Sequence, residues 1–357
     1  MNKGYKYKLK PTKEQIIQLQ QIGGSCRFIW NYMLGLNIDQ YKLDKTFIFK
    51  HKMITSIPNL KQINPWLSEV PSQSLQQRCI DLDNALKQKD KKFPKFKKKT
   101  YNNDSFRIPQ TNNHIKITNK QIQIPKLGWI KWKYHRPIQG QLKSITVKQE
   151  NNNWYVVCLC ELPDVDQIKN YNINQLVGID LGLKDLAITS NNEILNTPQF
   201  FRKSQKKLGK LQRSLSNKKL RSKNRNKARL KVSKLHNKIK NQRLDYLHKA
   251  STQITNDYLF IGVEDLNIKG MSKNKKLSKS IQDQGWGLFL QQLEYKSLFN
   301  GVLTVRINRY LPSTKTCNNC GNIMLMPLNK RKYNCPVCGM LMDRDLNAAI
   351  NIKKWRR

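Results

Sequence analysis

Two pairs of closely spaced cysteines lie near the C-terminal end of the chain. Cys317 and Cys320 form one C-x-x-C pair, and Cys335 and Cys338 form a second after fourteen intervening residues, with a glycine following each pair. Zn²⁺ prefers four tetrahedral ligands, which two such turns supply as thiolates. A redox disulfide pair and an iron–sulfur cluster are alternatives that suit this spacing less well. The pattern therefore predicts a zinc ribbon, with a structural metal because no coordination position stays open.

Three carboxylates are placed where carboxylates are uncommon. Asp180 lies inside the apolar run 176–183, Glu264 ends the apolar run 258–263, and Asp345 lies where a helix is expected to begin. A carboxylate within an apolar strand costs free energy unless a cation or a hydrogen-bond donor meets it. Each acid also has a simple structural account: Asp180 as a turn residue, Glu264 as a surface strand end and Asp345 as a helix N-cap.

The order of these three acids along the chain favours a shared role. Ribonuclease H-like folds bring an Asp, a Glu and an Asp together from a strand, a second strand and a C-terminal helix, around two Mg²⁺ ions. Oxygen ligands suit Mg²⁺, which activates water and stabilises the leaving oxygen of a phosphodiester. We therefore predict that Asp180, Glu264 and Asp345 are catalytic magnesium ligands, and that the neighbouring Asp343 is a helix-end residue.

The charge of the chain indicates the kind of partner. Its 357 residues include 67 Lys and Arg against 23 Asp and Glu, a formal net charge of +44. Such a charge predicts a polyanionic partner. Because there is no run of about 18 apolar residues and no signal-peptide pattern after Met1, nucleic acid is favoured over a membrane. Eight cysteines without a secretion signal are typical of a reducing compartment, so we expect a cytoplasmic, nucleoid-associated protein.

Hydrophobic periodicity predicts the elements that carry these residues. Residues 1–10 alternate as a basic strand, a capping box at Thr12 to Gln15 opens a helical region, and a further helix is expected at 72–86. Short alternating runs between about 105 and 162 predict an antiparallel barrel or sheet. Two strands around a Gly-rich turn are expected at 176–190.

Two basic segments are candidates for phosphate contact. Residues 87–99 hold eight lysines, and residues 202–249 hold nineteen Lys and Arg against one acid, Asp245. Leucines at helical spacing on both sides of 218–223 predict that the second segment is a helical hairpin with one apolar seam. The alternative for residues 87–99 is a solvated linker. The alternative for residues 202–249 is a solvated coiled coil, although its charges of one sign would repel one another without bound phosphate. The predicted nucleic-acid contacts in the two segments are Lys95, Lys97, Lys98, Lys99, Arg213, Arg221, Arg225 and Arg229.

Several motifs together make the chain similar to the TnpB family, proteins of bacterial insertion sequences that are related to type V CRISPR effectors. The resemblance covers nearly the whole chain. In the C-terminal half it rests on Gly178-Ile179-Asp180-Leu181-Gly182, Val263-Glu264-Asp265-Leu266, Gln284-Gly285-Trp286-Gly287, Pro312-Ser313-Thr314-Lys315-Thr316-Cys317 and Asp343-Arg344-Asp345-Leu346-Asn347-Ala348-Ala349. In the N-terminal half it rests on Cys26-Arg27-Phe28-Ile29-Trp30-Asn31, Pro71-Ser72-Gln73-Ser74-Leu75-Gln76-Gln77 and Phe93-Pro94-Lys95-Phe96-Lys97.

The resemblance implies an RNA-guided DNA endonuclease. A guide RNA pairs with a double-stranded DNA target, and a RuvC-like domain cleaves the DNA beside a short flanking motif. Asp180, Glu264 and Asp345 fall on the catalytic carboxylates of the family, and the four cysteines fall on its zinc-bearing insert. The implied domains are a wedge-type β-barrel at 1–10 and 100–165, a helical recognition insert with a basic linker at 11–99, a RuvC-like nuclease domain at 175–316 and 339–357 that contains the basic hairpin, and a zinc ribbon insert at 317–338.

Two further expectations concern partners. Gln73 and Gln77 share one face of the predicted helix 72–86, where glutamine amides can pair with adenine in the flanking motif; solvent exposure or bonding to the backbone is the alternative. Members of this family usually occur beside a tyrosine transposase. This chain has no His-x-His pair together with a tyrosine nucleophile, so we expect that transposase to be a separate protein. A ribonuclease H-like strand-transfer transposase and a guided DNA-binding protein that does not cut remain open as alternative functions.

Overall fold

The protein forms two compact units, Met1–Pro163 and Asp164–Arg357, each with helices packed on a β-sheet. The structure, a computed structural model, describes residues 1–88, 93–99, 104–109, 114–166, 168, 172–327 and 330–355. Parts of the predicted basic segment 87–99 and the predicted domain ends at residues 100 and 357 lie outside the described residues. The mixed α and β architecture is the one that the sequence predicts. In the ranges described, no helix is both long enough and apolar enough to cross a membrane.

In its described residues, the first unit contains six strands and four α-helices. The strands are β1 (Asn2–Lys10), β2 (Ser105–Ile108), β3 (Gln121–Ile124), β4 (Gly128–Lys133), β5 (Gln141–Glu150) and β6 (Asn153–Glu161). The helices are α1 (Lys13–Asp44), α2 (Lys50–Thr55), α3 (Ile57–Ile63) and α4 (Ser72–Leu86), with a 3-10 turn at Pro65–Glu69. All strand pairs are antiparallel, in the order β2-β5-β6-β1-β4-β3. Within the described ranges β2 and β3 do not pair, so this sheet is open.

In the sequence, the helices of the first unit lie between β1 and β2. They share one hydrophobic core with the sheet. Helix α1 begins at the predicted capping box, in which the Gln15 backbone N–H donates to Thr12 Oγ1 at 3.2 Å and the Thr12 N–H donates to Gln15 Oε1 at 3.1 Å. Cys158 and Cys160 of β6 are free thiols, and both are fully buried. Two residues apart on a strand, they share one face and pack into the core.

The part of the second unit that the structure describes contains a five-stranded sheet, a separate hairpin and six α-helices. The strands are β7 (Leu176–Leu181), β8 (Ala187–Thr189), β9 (Ile194–Leu195), β10 (Phe260–Glu264), β11 (Leu303–Ile307), β12 (Lys332–Asn334) and β13 (Leu341–Asp343). The helices are α5 (Phe200–Ser216), α6 (Lys223–Asp257), α7 (Ile268–Met271), α8 (Lys275–Gln284), α9 (Trp286–Asn300) and α10 (Arg344–Lys354), with a 3-10 turn at Ile173–Gln175. The sheet order is β11-β10-β7-β8-β9, in which β7, β10 and β11 are parallel and β8 and β9 are antiparallel.

Helix α10 lies directly on the centre of this sheet because two glycines leave room for it. Gly178 of β7 and Gly262 of β10 are paired side by side in the parallel register. A Cβ on Gly178 would lie 2.1 Å from the Ala349 carbonyl oxygen and 2.4 Å from the Lys353 nitrogen. A Cβ on Gly262 would lie 3.1 Å from atoms of Ile352. Glycine within a strand often marks such a close approach of another backbone, and here it fixes the height of α10 above the sheet.

The predicted basic helical hairpin is present as α5 and α6. Its apolar seam is built around Leu208, Leu235 and Ile239, which are buried together. Other side chains of the seam are partly buried, and most of the basic side chains point to solvent. The hairpin is thus held by a narrow core and exposes a predominantly basic surface.

Candidate functional site

The fold brings the three predicted carboxylates to one face of the five-stranded sheet. Side chains alternate between the two faces of a strand, so Asp180 lies on the same face as Gly178, and Glu264 on the same face as Gly262. That face is covered by α10. Asp345 belongs to the first turn of α10, and the adjacent strands β7 and β10 place the other two acids near each other at their carboxyl ends.

The three acids form a cluster of like charges with restricted access to water. Asp180 is only 7% exposed. Burial raises the pKa of its carboxyl well above the ordinary aspartate value, and the negative charges of Glu264 and Asp345 raise that pKa further, against the opposing charge of Arg344. Burial also raises the pKa of Glu264. A bound divalent cation with oxygen ligands would relieve both the burial and the repulsion, so the donor set suits such an ion.

Glu264 is held by a serine that the sequence analysis did not single out. Ser313 Oγ donates to Glu264 Oε1 at 2.6 Å, and Ser313 is only 3% exposed. This hydroxyl opposes the effect of burial on the pKa of Glu264. The carbonyl of Ser313 in turn accepts from Asn351 Nδ2 of α10 at 2.8 Å. Ser313 lies four residues before Cys317, within one of the motifs of the family, and this was the signal available in the sequence.

Asp345 is held by two arginines, which were also not predicted. Arg344 donates to Asp345 Oδ1 from Nε at 2.9 Å and from Nη2 at 2.8 Å, and Arg331 donates to Oδ2 from Nη1 at 3.0 Å. Asp343, rather than Asp345, caps the helix: its Oδ1 accepts from the backbone N–H groups of Asp345 at 2.8 Å and Leu346 at 3.2 Å. The prediction for Asp343 is confirmed, and the alternative account of Asp345 as an N-cap is wrong.

The four cysteines of the two C-x-x-C pairs come together in space. Their four sulfur atoms all lie within 4.8 Å of one another, and both the Cys317–Cys338 and the Cys320–Cys335 Sγ separations are 3.6 Å. A tetrahedral site with metal–sulfur bonds of about 2.3 Å requires sulfur separations of about 3.8 Å, whereas a disulfide requires about 2.05 Å. The glycines that follow the pairs have φ values of +77° and +70°, which the tight turns require. This geometry fits a metal ion with four thiolate ligands.

The cysteine cluster is joined to the helix that carries Asp345. The β12–β13 hairpin holds Cys335 and Cys338 in its loop, and β13 runs directly into α10 at Asp343. The predicted ribbon ended at residue 338, but strand pairing continues the hairpin to Asp343. Asn347 of α10 binds the other cysteine turn, because its Oδ1 accepts from the Asn318 backbone N–H at 3.0 Å and its Nδ2 donates to the Thr316 carbonyl at 2.8 Å.

The predicted base-reading glutamines differ in their surroundings. Gln77 is 8% exposed, and its Nε2 donates to Asp81 Oδ1 at 2.8 Å. Gln73 is half-buried. Helical spacing cannot distinguish the buried face of α4 from its exposed face when both carry polar residues. Recognition of bases by these two residues stays a prediction, and for Gln77 it requires release of Asp81.

The predicted phosphate contacts also fall into different environments. The exposed members are Lys95, Lys98, Lys99, Arg213 and Arg221, and the half-buried ones are Lys97, Arg225 and Arg229. Arg225 closes the turn of the hairpin, since its Nη1 donates at 2.9 Å to the carbonyls of both Leu215 and Lys218. The described part of the basic segment is not a free linker, because Trp30 Nε1 of α1 donates to the Lys95 carbonyl at 3.2 Å.

Three protein families match parts of the chain. The OrfB_IS605 family, described as "Probable transposase", matches residues 145–275, and the "Cas12f1-like, TNB domain" matches residues 286–352, which include the cysteine cluster and most of α10. A "Helix-turn-helix domain" of OrfB_IS605 proteins matches residues 1–46. In the structure this last region forms β1 and one continuous helix, α1.

Three curated proteins illustrate the similarity over the whole chain. "Putative RNA-guided DNA endonuclease InsQ" of Escherichia coli (strain K12) is 33% identical, over 98% of this chain and 90% of its own length. "Putative RNA-guided DNA endonuclease" of Streptomyces pristinaespiralis is 32% identical, over 99% of this chain and 89% of its own length. "TnpB-like protein L770" of Acanthamoeba polyphaga mimivirus is 31% identical, over 63% of this chain and 45% of its own length. Together with the motifs and the matching families, these identities show that the chain belongs to the TnpB family of insertion-sequence proteins.

Proposed function

We propose that this protein is a metal-dependent endonuclease that cuts double-stranded DNA at sites selected by a guide RNA. The observation that carries the proposal is the convergence of Asp180, Glu264 and Asp345 on one face of the sheet. Two of the relatives, which align over 90% and 89% of their own length, carry the words "RNA-guided DNA endonuclease" in their names, which supports the guided reaction. The net charge of +44 suits a protein that binds two nucleic acids.

We infer that the second unit is a ribonuclease H-like, RuvC-like nuclease domain. Its three parallel strands continue into two antiparallel ones, and its acids come from two adjacent strands and the last helix, the order expected for that fold. In the first unit, we assign the antiparallel sheet to the wedge-type domain, although its described strands form an open sheet rather than a closed barrel. We assign the helices between β1 and β2 to the recognition insert. The basic hairpin of α5 and α6 extends from the nuclease domain.

The acidic cluster is proposed to hold two Mg²⁺ ions through Asp180, Glu264 and Asp345. When bound, magnesium supplies the activation of water and the neutralisation of charge that phosphodiester hydrolysis needs. The chain itself contributes orientation and a dry environment. Ser313 fixes one oxygen of Glu264, and Arg331 and Arg344 fix the carboxylate of Asp345. The burial of Asp180 excludes water that would otherwise weaken the electrostatic interactions of the site.

The cysteine cluster is proposed to hold a structural Zn²⁺. Four thiolates complete its coordination, so the ion has no position for a substrate. Through β13 and Asn347 the bound metal would fix the start of α10, and with it the position of Asp345.

The partners that this function requires are a guide RNA and a double-stranded DNA target. We propose that a separate tyrosine transposase moves the insertion sequence.

The direct test of the catalytic assignment is Asp180→Ala. We expect this variant to lose magnesium-dependent cleavage by about 10³-fold or more, because a ligand of the catalytic metal is removed, while binding of RNA and DNA is retained. The matched control is Asp257→Ala, which removes an exposed acid at the end of α6 and should cut at the wild-type rate. Cleavage of a matched DNA is measured beside binding of the same DNA. Normal cutting by Asp180→Ala would refute the assignment of the site.

One alternative is favoured by a specific observation, the description of the OrfB_IS605 family as "Probable transposase". Ribonuclease H-like folds with three acids also catalyse strand transfer. Purified protein incubated with the ends of the insertion sequence and no RNA would then form strand-transfer products. A protein that binds under guidance without cutting would give tight RNA-dependent binding and no magnesium-dependent product.

A further inference from the structure

A cavity of about 330 Å³ lies in the first unit, between α1, α4 and the described end of the basic segment. Four cationic side chains line it, from Arg27, Arg78, Lys97 and Lys98, together with one carboxylate, from Asp104. Its volume is within the range of small-ligand pockets. All of its residues belong to the same compact unit, and none is part of the acidic cluster or of the cysteine cluster.

Among the described residues, carboxylates form ion pairs with both arginines of this cavity. Arg27 Nη1 lies 2.6 Å from Asp104 Oδ1, and Arg78 Nη1 lies 3.1 Å from Asp81 Oδ2. Arg78 also donates to the Ser105 carbonyl, which fixes its position. In the part of the chain that the structure describes, neither Lys97 nor Lys98 lies within ion-pair distance of a carboxylate. The cavity thus keeps an excess of positive charge.

Lys97 is held in place, although no carboxylate of the described residues lies within ion-pair distance of its ammonium group. Asn31 binds the lysine backbone twice: the Lys97 N–H donates to Asn31 Oδ1 at 2.7 Å, and Asn31 Nδ2 donates to the Lys97 carbonyl at 2.9 Å. The Lys97 Nζ lies 3.6 Å from the centroid of the Trp30 ring. This cation–π contact does not supply the oxygen acceptors that an ammonium group prefers.

The surroundings of Lys97 favour an incoming anion. Burial lowers the pKa of Lys97 to about 8, and the charge of Arg78 lowers it in the same direction, while Asp81 and the Cys26 thiol act in the opposite direction. An anion in the cavity would stabilise the protonated lysine and provide its missing acceptor. Because Trp30 and Asn31 already fix the position of the lysine, little side-chain entropy would be lost on binding.

We propose that this cavity binds a phosphodiester group of the nucleic-acid backbone, with Lys97 as its central cation. Arg27 and Arg78 contribute positive electrostatic potential and hydrogen-bond donors. Lys98 also lines the cavity and is exposed to solvent. The inference rests on the proposed function, since that function supplies the two candidate nucleic acids, the guide RNA and the DNA target. It adds a defined anchoring site, remote in the sequence from the carboxylates, that positions one of these strands.

The test compares the salt dependence of binding for Lys97→Met and for the matched variant Lys52→Met, which removes an exposed lysine of α2. One arm measures binding of the co-purifying RNA by RNA-free protein, and the other measures binding of matched DNA by RNA-loaded protein. Loss of one phosphate contact lowers the slope of log affinity against log salt by about 0.7 for a single strand and about 0.9 for duplex DNA. We expect that change for Lys97→Met in one arm, which identifies the strand, and no change for Lys52→Met.

Further variants separate the possible failures. Lys97→Arg, which keeps the charge, should restore the slope. Lys98→Met, at an exposed position where folding is not at risk, should lower the slope in the same arm and provides the test if Lys97→Met does not fold. Unchanged slopes in both arms for both Met variants overturn the cavity proposal, even where the wild-type protein cuts guided DNA. Failure of the wild type to bind RNA or to cut refutes the proposed function instead. In a protein that does not bind RNA, the salt dependence of duplex DNA binding by the RNA-free protein tests the cavity.

Discussion

At the scale of single residues, Asp180 provides the observation that favours a bound cation at the proposed site. Its carboxyl lies within a fully buried strand and close to two other acids, so burial and repulsion both raise its pKa. A protein that kept such an acid only for structure would satisfy it with donors from the neighbouring elements. Among the described residues, the hydrogen bonds of the site go to the other two acids: the arginines bind Asp345, and the serine binds Glu264. This arrangement supports the proposal that the three acids share a metal ion.

Ser313→Ala tests the support given to Glu264. Removing the hydroxyl should lower cleavage by about 10–100-fold and raise the magnesium concentration needed for half-maximal rate, because groups that orient metal ligands have effects of this size. Thr314→Ala removes a neighbouring hydroxyl that forms no hydrogen bond with Glu264 in the described residues, and this variant should behave as the wild type. Ser313→Thr, which keeps the hydroxyl, should recover most of the activity. A fall in activity with no change in the magnesium requirement would argue against a positioning role.

At the scale of elements, the position of α10 determines where the third carboxylate lies. The helix rests on Gly178 and Gly262, and its first turn is continuous with the hairpin that carries two of the cysteines. Its asparagines bind the segment around the other cysteine pair. The site is therefore assembled by the contact of one helix with the sheet on one side and with the cysteine cluster on the other.

Gly178→Ala tests the contact with the sheet. The added Cβ would lie 2.1 Å from a backbone carbonyl of α10, so the helix must move. We expect a loss of stability of about 1–3 kcal/mol, as for other overpacked sites, together with a severe loss of cleavage. The matched control is Gly209→Ala in α5, where nothing lies within 4 Å of the new Cβ and where stability should rise by about 0.5–1 kcal/mol. Chemical denaturation and cleavage assays check both variants, and unchanged cleavage by Gly178→Ala would contradict the close packing.

Cys335→Ser tests the contact with the cysteine cluster. The variant should lose bound zinc and also cut DNA more slowly, because the hairpin that leads into α10 loses its metal ligand. Val337→Ser, at an exposed position between the same two cysteines, controls for the polarity of the change and should keep both zinc and activity. Zinc content by elemental analysis and cleavage rate are measured on the same preparations. Full activity in a zinc-free Cys335→Ser protein would show that the cluster and the acids are not coupled.

At the scale of the whole molecule, the sequence predicted the parts that depend on local pattern. Periodicity predicted the strands that carry Asp180 and Glu264 and the basic hairpin. Residue spacing predicted the cysteine turns and the capping box at Thr12. The family resemblance then identified which acids belong together. Local pattern alone could not have assembled them, because the acids are separated by more than 80 residues in each case.

The features that the sequence did not predict depend on contacts between distant segments. Ser313 and Glu264 are 49 residues apart, and no periodicity links them. The continuation of the cysteine hairpin to Asp343 follows from strand pairing across its loop. For Gln77, the amide that was expected to face nucleic acid is bound to Asp81. The cavity around Lys97 likewise appears only when α1 and the basic segment are packed together.

The net charge of +44 is the property of the whole chain that bears on its partners, and it cannot by itself distinguish guided cleavage from unguided binding. The decisive measurement is the sequence of the RNA that co-purifies with the protein, followed by replacement of its variable segment. We predict a discrete RNA with a variable end, and cleavage that moves to whichever DNA matches the new segment. Absence of such an RNA, or cleavage that stays at the old site after the replacement, would contradict RNA-guided action.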